Sequence, residues 1–205
     1  MFIELSDAGK RYQNDWIFKG LNLKIHEGDR IGISGPNGSG KSTLLKIISG
    51  QTSLTKGKRI YQNELAIQLE EESIFNKISF AAPYIELIEE FSLSEIISFY
   101  HKFRPLVKGL KESDVIEMSR IPQANKVIKA YSSGMKQRVK LVLALCFDGE
   151  LILLDEPSTN LDKDGVEWTK NLIYTYLSDR TLVLASNEIK DFENINSVLD
   201  IRDYK

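Results

Sequence analysis

The sequence predicts an α/β fold built on a largely parallel sheet, and three observations carry that expectation. Short apolar runs alternate with helical segments along the chain. Two of the runs, residues 151–154 (LILL) and 181–185 (TLVLA), are continuously apolar rather than alternating, as inner parallel strands covered on both faces are. A third, Arg30–Ser34 (RIGIS), runs straight into a glycine-rich loop that opens a helix.

Taken in order, residues 2–5 and 17–25 read as strands, the second with apolar side chains at Leu21, Leu23 and Ile25. After the glycine-rich loop a helix covers 42–49, and Gly50 closes it as a C-terminal cap. Residues 56–78 are polar and irregular, with Glu70, Glu71 and Glu72 forming a solvated acidic face. Ser92-Leu93-Ser94-Glu95 fits a capping box that opens a helix through Phe103, with Ile96, Ile97, Tyr100 and Phe103 on one face. Residues 104–129, punctuated by Pro105 and Pro122, read as a helical insertion. A helix over 133–147 stops at Asp148-Gly149, a further helix covers 166–177, and a last strand covers 197–202. The chain shows no internal repeat and no low-complexity linker.

The chain of 205 residues fits one domain, or one domain with a subdomain. Hydrophobic residues at 42% and charged residues at 27% exclude disordered, collagen-like and disulfide-scaffold classes. Lys plus Arg is 27 against 29 for Asp plus Glu, a balance that argues against a nucleic-acid or membrane-surface binder. Cys146 is the single cysteine, so no internal disulfide forms and a reducing cytoplasm is the expected home. No run approaches the ~20 apolar residues that span a bilayer, and Met1-Phe2-Ile3-Glu4 does not open a signal peptide. The two histidines are His26 and His101.

Gly35-Pro36-Asn37-Gly38-Ser39-Gly40-Lys41-Ser42 fits the pattern G-x-x-x-x-G-K-[ST]. Its glycines let the backbone approach a phosphate closely, and the N–H groups of the loop and helix start face the anion. Lys41 is placed to reach the β and γ phosphates, the Ser42 hydroxyl to ligate magnesium (Mg2+), and Thr43 to bond an α-phosphate oxygen. Position after a strand and before a helix separates this pattern from a chance glycine-rich turn. Asp155 and Glu156 end the apolar run at 151–154, at the sheet edge where open α/β sheets gather ligands. Asp155 suits the Mg2+ shell, and Glu156 is placed to polarise an attacking water.

Two further stretches carry a resemblance. Tyr131-Ser132-Ser133-Gly134-Met135-Lys136-Gln137-Arg138 resembles the signature motif of ATP-binding-cassette (ABC) proteins, and Leu154-Asp155-Glu156-Pro157-Ser158-Thr159-Asn160-Leu161-Asp162 resembles their Walker B strand and D-loop. With the phosphate loop, three motifs fall in family order, and the likeness covers nearly the whole chain. It is most similar in character to small bacterial single-cassette transporter subunits. The resemblance implies a P-loop NTPase fold of ABC type, with an antiparallel β segment and a helical subdomain. It assigns about 1–82 and 148–205 to the ATPase core and about 83–147 to the helical subdomain. It also implies an ATP hydrolase that dimerises on ATP, homodimer or heterodimer, and drives a separate integral membrane subunit from the cytoplasmic face. No nucleic-acid partner is expected.

The resemblance also assigns roles. Ser132, Ser133 and Gly134 would hold the partner cassette's nucleotide; Ser132 alone also reads as an ordinary helix cap. An adenine-stacking aromatic is expected at Tyr12, with Trp16 as the competing candidate. Leu87, Phe91, Ile96 and Tyr100 are candidates for the groove that docks the membrane subunit, or else subdomain core. Two positions depart from the family. Pro83 stands where a glutamine would touch metal and water, leaving Tyr84 or Glu86 as substitutes. Asn187 follows the strand at 181–186 where a histidine would contact the γ-phosphate; its amide donates a neutral hydrogen bond but carries no charge. Slow turnover is therefore expected. The alternatives are a nucleotide-gated regulatory subunit, or an ABC ATPase outside transport, although the span between Lys41 and Ser132 lacks the coiled-coil arms of DNA-clamping members.

Overall fold

In a computed structural model, residues 1–205 are described, the side chains of 71 and 72 excepted. For Glu71 and Glu72, the expected solvated acidic face therefore lies outside the described residues. The chain runs β1 Phe2–Tyr12, β2 Asp15–Ile25, β3 Arg30–Ser34, α1 Lys41–Ile48, β4 Lys56–Gln62, α2 Glu71–Ile74 and β5 Ile78–Ala81. It continues through α3 Leu93–His101, α4 Glu112–Met118, α5 Ser133–Leu145, β6 Leu151–Asp155, α6 Lys163–Leu177, β7 Thr181–Ser186 and β8 Ser197–Asp200.

The core is the expected parallel sheet, with strand order β5-β6-β7-β3-β8. Its strands alternate between two apolar layers, as the two-residue side-chain period requires. Ile152 and Leu154 of β6, with Leu182 and Leu184 of β7, face a layer built from α3, α5 and α6. Leu151, Leu153, Val183 and Ala185 face the opposite layer, which includes Leu44, Leu45 and Ile48 of α1 and Ile3, Leu5 and Phe18 of a small antiparallel sheet. That second sheet has the order β2-β1-β4.

The register lines up the carboxyl ends of the strands. Asp155 pairs with Ala185, Ser34 with Ser186, and Ala81 with Leu154. The glycine-rich loop after β3, the carboxylates after β6, Asn187 after β7 and the segment after β5 therefore emerge at one edge. Four remote stretches of chain meet there because parallel strands must share a direction.

Several boundaries differ from expectation for physical reasons. Residues 56–62, read as irregular, form β4, an edge strand whose outward positions are exposed; only Tyr61 is buried, with its hydroxyl donating to the Ile48 carbonyl at 2.9 Å. A strand with a wet outer face carries little alternation to read. β1 extends to Tyr12 rather than Leu5 because register shifts after Leu5 let its polar second half keep pairing. α6 starts at Lys163 because the Asp162 carboxylate accepts the Gly165 N–H at 2.8 Å. The last strand stops at Asp200, whose side chain accepts the Arg202 N–H at 2.9 Å and opens a short 3₁₀ turn.

The capping box at Ser92 and Glu95 forms as expected. Of the face expected on that helix, Ile96 and Ile97 are buried, whereas Tyr100 is partly open and Phe103, beyond the helix end, is 74% exposed. Gly50 sits just past α1 at φ +82°, the left-handed geometry of a C-terminal cap.

Candidate functional site

Gly40 is where the glycine-rich loop turns into α1, at φ +108°, and a Cβ there would sit 2.4 Å from Ile17 Cγ2. Only glycine allows both the dihedral and the approach of β2. No side chain caps the start of α1 and its first turn carries no acidic residue, so the positive helix end stays available to an anion. Lys41, 5% exposed, folds back over the loop: its Nζ donates to the Gly35 carbonyl at 2.8 Å and the Pro36 carbonyl at 3.3 Å. The same ammonium pairs with Glu156 Oε1 at 3.1 Å. The loop lysine and the carboxylate after β6 thus already share one contact.

Asp155 is 1% exposed, and neither of its carboxylate oxygens makes a hydrogen bond of full geometry. Burial pushes its carboxyl up and neighbouring Glu156 adds to this; the Ser42 and Tyr84 hydroxyls and Lys41 oppose it. A buried, incompletely satisfied carboxylate beside a serine hydroxyl is an oxygen-only donor set, which fits Mg2+. Among the described residues no group of three or more acidic, histidine or cysteine side chains gathers to hold a metal. Magnesium characteristically takes one or two carboxylates and substrate phosphate, so the pair fits its habit.

Glu156 sits at φ +44°, a costly backbone for a non-glycine residue, which turns the chain sharply off β6. Its Oε2 lies 3.2 Å from Ser186 Oγ and accepts the Asn187 N–H at 3.4 Å. The Asn187 side-chain amide donates to Asn37 Oδ1 at 3.3 Å. Asn187 therefore bridges the glycine-rich loop and Glu156.

After β5, Pro83 contributes only its carbonyl, which accepts from Lys140 Nζ at 2.5 Å. Tyr84 turns its hydroxyl to Asp155, and burial together with that carboxylate pushes its phenol up. Its ring lies 4.1 Å from Lys46 Nζ of α1. Of the two substitutes expected for the missing glutamine, Tyr84 reaches the acidic centre and Glu86 is exposed.

Tyr12 ends β1 at 50% exposure, with Lys10 Nζ 5.0 Å from its ring. Trp16, 37% exposed, folds onto Gly9, where an added Cβ would meet the indole at 2.9 Å. His26 is exposed beside Phe2 at 5.0 Å, and His101 meets Glu112 at 2.7 Å, so each is occupied by another element.

Ser132, Ser133 and Gly134 form a second pocket with Arg120, Arg138 and Asn160. Ser132 caps α5 by accepting the Met135 N–H at 3.2 Å. Gly134 packs against the chain itself: a Cβ there would meet the Asn160 carbonyl at 2.9 Å. Arg120 went unread in the sequence because it lies in no spacing pattern, and Arg138 stands within the signature stretch but was given no role there; the fold brings Arg120 beside Arg138 at the start of α5. A separate apolar groove is lined by Leu87, Ile88, Phe99, Tyr100 and Phe103. Leu87 and Tyr100 were expected there. Ile96 instead belongs to the core at 0% exposure, and Phe91 packs against that core.

Residues 18–159 match the family model described as ABC transporter. The lantibiotic transport ATP-binding protein SrtF of Streptococcus pyogenes is 28% identical over 203 residues, spanning 94% of this chain and 83% of that protein. The lipoprotein-releasing system ATP-binding protein LolD of Treponema denticola is 30% identical over 198 residues, spanning 90% and 84%. The dimeric structure of MJ0796, a bacterial ABC transporter cassette, superposes with a TM-score of 0.80 at 26% identity, covering 97% of this chain and 94% of that one. A post-hydrolysis MJ0796 dimer bound to ADP and Pi gives a TM-score of 0.76 at 26% identity, covering 91% and 88%.

Proposed function

The chain belongs to the ABC transporter family of ATP-binding cassettes, and from that premise we propose how its residues run the ATPase. ATP binds with its phosphates on the loop of Gly35, Pro36, Asn37, Gly38, Ser39, Gly40, Lys41, Ser42 and Thr43, and its adenine against Tyr12. Ser42 and Asp155 hold Mg2+, which supplies charge neutralisation on the phosphates. Two cassettes close so that Ser132, Ser133 and Gly134 of each complete the other's site, with Arg120 and Arg138 adding positive charge.

The observation that carries the reading is the Lys41–Glu156 contact at 3.1 Å. Without nucleotide, Lys41 neutralises Glu156. An arriving phosphate competes for Lys41, freeing Glu156 to accept the proton of the attacking water. Asn187, already hydrogen-bonded to Asn37 and Glu156, reads the γ-phosphate as a neutral donor, so turnover is slow. Tyr84 takes the position of the absent glutamine beside Asp155.

The ATPase core comprises about 1–82 and 148–205, and 83–147 form the helical subdomain that presents the apolar groove to a membrane subunit. Among the described residues no helix is long and apolar enough to cross a membrane, so transport needs that subunit, and the cassette works at the cytoplasmic face. A detergent pull-down that returns ribosomes or DNA instead of a multi-span membrane protein would overturn this assignment.

Glu156→Gln tests the base. It should cut steady-state phosphate release by ~10²–10⁴-fold and trap an ATP-bound dimer on size exclusion. Normal turnover would remove Glu156 from this role. Asn187→His should raise the rate; an unchanged rate refutes the slow-sensor assignment.

A further inference from the structure

Asp191 is a buried carboxylate that the reaction scheme above leaves unused. It lies in the short 3₁₀ turn after β7, 9% exposed, between two hydroxyls. Ser158 Oγ, in the loop that follows Glu156, donates to its Oδ1 at 2.5 Å. Ser186 Oγ, at the end of β7, lies 2.6 Å from its Oδ2. The same Ser186 oxygen is 3.2 Å from Glu156 Oε2 and accepts the Glu188 N–H at 3.0 Å.

A serine hydroxyl has one proton, and here it faces two carboxylates. The Glu188 N–H occupies a lone pair on Ser186 and turns the proton towards the acidic side. The shorter contact, to Asp191, takes it. Glu156 Oε2 then keeps its lone pair for another donor instead of spending it on Ser186.

We propose that Asp191 is a positioning residue for hydrolysis: it withholds the Ser186 proton from Glu156 and ties the 157–162 loop to that carboxylate through Ser158. The loop is also anchored to α5, since the buried Gln137 donates to the Pro157 carbonyl at 3.0 Å and Gly134 packs on Asn160. A displacement of α5 or of the loop is thereby transmitted to the hydroxyl that competes for Glu156. This inference rests on Glu156 acting on the attacking water.

The test is a double-mutant cycle on ATP turnover. Asp191→Asn keeps the shape, but its amide can donate to Ser186, whose proton then turns to Glu156 Oε2 and occupies the lone pair that the attacking water would use. The expected result is a fall of ~10-fold or more in kcat with KM for ATP changed by less than ~2-fold. Asp191→Glu, which retains the acceptor, should recover at least ~3-fold of that loss. In a Ser186→Ala background, Asp191→Asn should cost no further activity, because the contested proton is gone.

Additive losses in the double variant, an unchanged kcat for Asp191→Asn, or an Asp191→Glu rate no better than Asp191→Asn would each overturn the proposal. If Asp191→Asn does not fold, the same cycle with Asp191→Ser decides between coupled and additive losses. Glu156→Gln is the control. If it turns over normally, the reading of the base fails; if it is inactive and the cycle is additive, only the role of Asp191 fails.

Discussion

Gly134→Ala tests whether the signature glycine serves a partner's nucleotide alone or already serves this chain. The added Cβ would stand 2.9 Å from the Asn160 carbonyl oxygen, where ordinary contacts begin at 3.4 Å. The oxygen must retreat by roughly half an ångström. It belongs to backbone that cannot rotate aside: Asn160 is at φ +64°, and the loop is held by Gln137 at Pro157 and by the Thr159 N–H on the Glu156 carbonyl at 3.0 Å. Overpacking of this kind costs ~1–3 kcal/mol. Alanine improves helix propensity by up to ~1 kcal/mol at an interior position, and less in a first turn.

The clash therefore wins, and the variant should be less stable by ~1–2 kcal/mol. For a chain of this size that lowers the melting midpoint by ~2–8 °C. The assay is thermal unfolding of the nucleotide-free protein, where no partner's phosphate is present. Gly38→Ala is a useful contrast, because a Cβ there meets nothing within 4 Å and only its φ of +76° is strained. A Gly134→Ala midpoint within ~1 °C of the parent, with only ATP-driven dimerisation lost, would refute the intrachain reasoning.

Asp155→Asn should stabilise the nucleotide-free protein while weakening Mg2+-dependent ATP binding. The folded-state pKa of Asp155 is raised by burial, so between the unfolded and folded values the native chain binds more protons and stability falls as pH rises. The full penalty is present above both values and vanishes below the unfolded one. The variant's midpoint should exceed the parent's at pH 8, with the gap closing towards pH 4; a variant less stable at pH 8 contradicts this. Tyr84→Phe removes the hydroxyl facing Asp155 and should raise the Mg2+ concentration for half-maximal ATP binding by at most about fivefold, since a hydrogen bond of full geometry would be worth about 1 kcal/mol and this contact falls short of one. An identical Mg2+ titration would remove Tyr84 from the site.

What the sequence determined by itself was local. The loop Gly35–Ser42, the apolar strand carrying Asp155 and Glu156, and the helix cap at Ser132 each reside in a few consecutive residues whose backbone needs are met on the spot. The parallel sheet followed, because continuously apolar strands separated by helices have few other ways to bury both faces. The departures at Pro83 and Asn187 were equally legible, since each is a single position in a motif. Only the tertiary structure decided what those positions meet. β4 escaped notice because its pairing with β1, not its own pattern, makes it a strand. Tyr84 reaches Asp155 because β5 lies beside β6, Gly134 meets Asn160 because α5 packs on the loop after Glu156, and Asp191 joins Ser186 to Ser158, which lies 33 positions away from it in the chain. The physical reason is common to all three. A hydrogen bond or a steric contact between distant segments has no periodicity along the chain, so it exists only once the sheet has brought those segments to one edge.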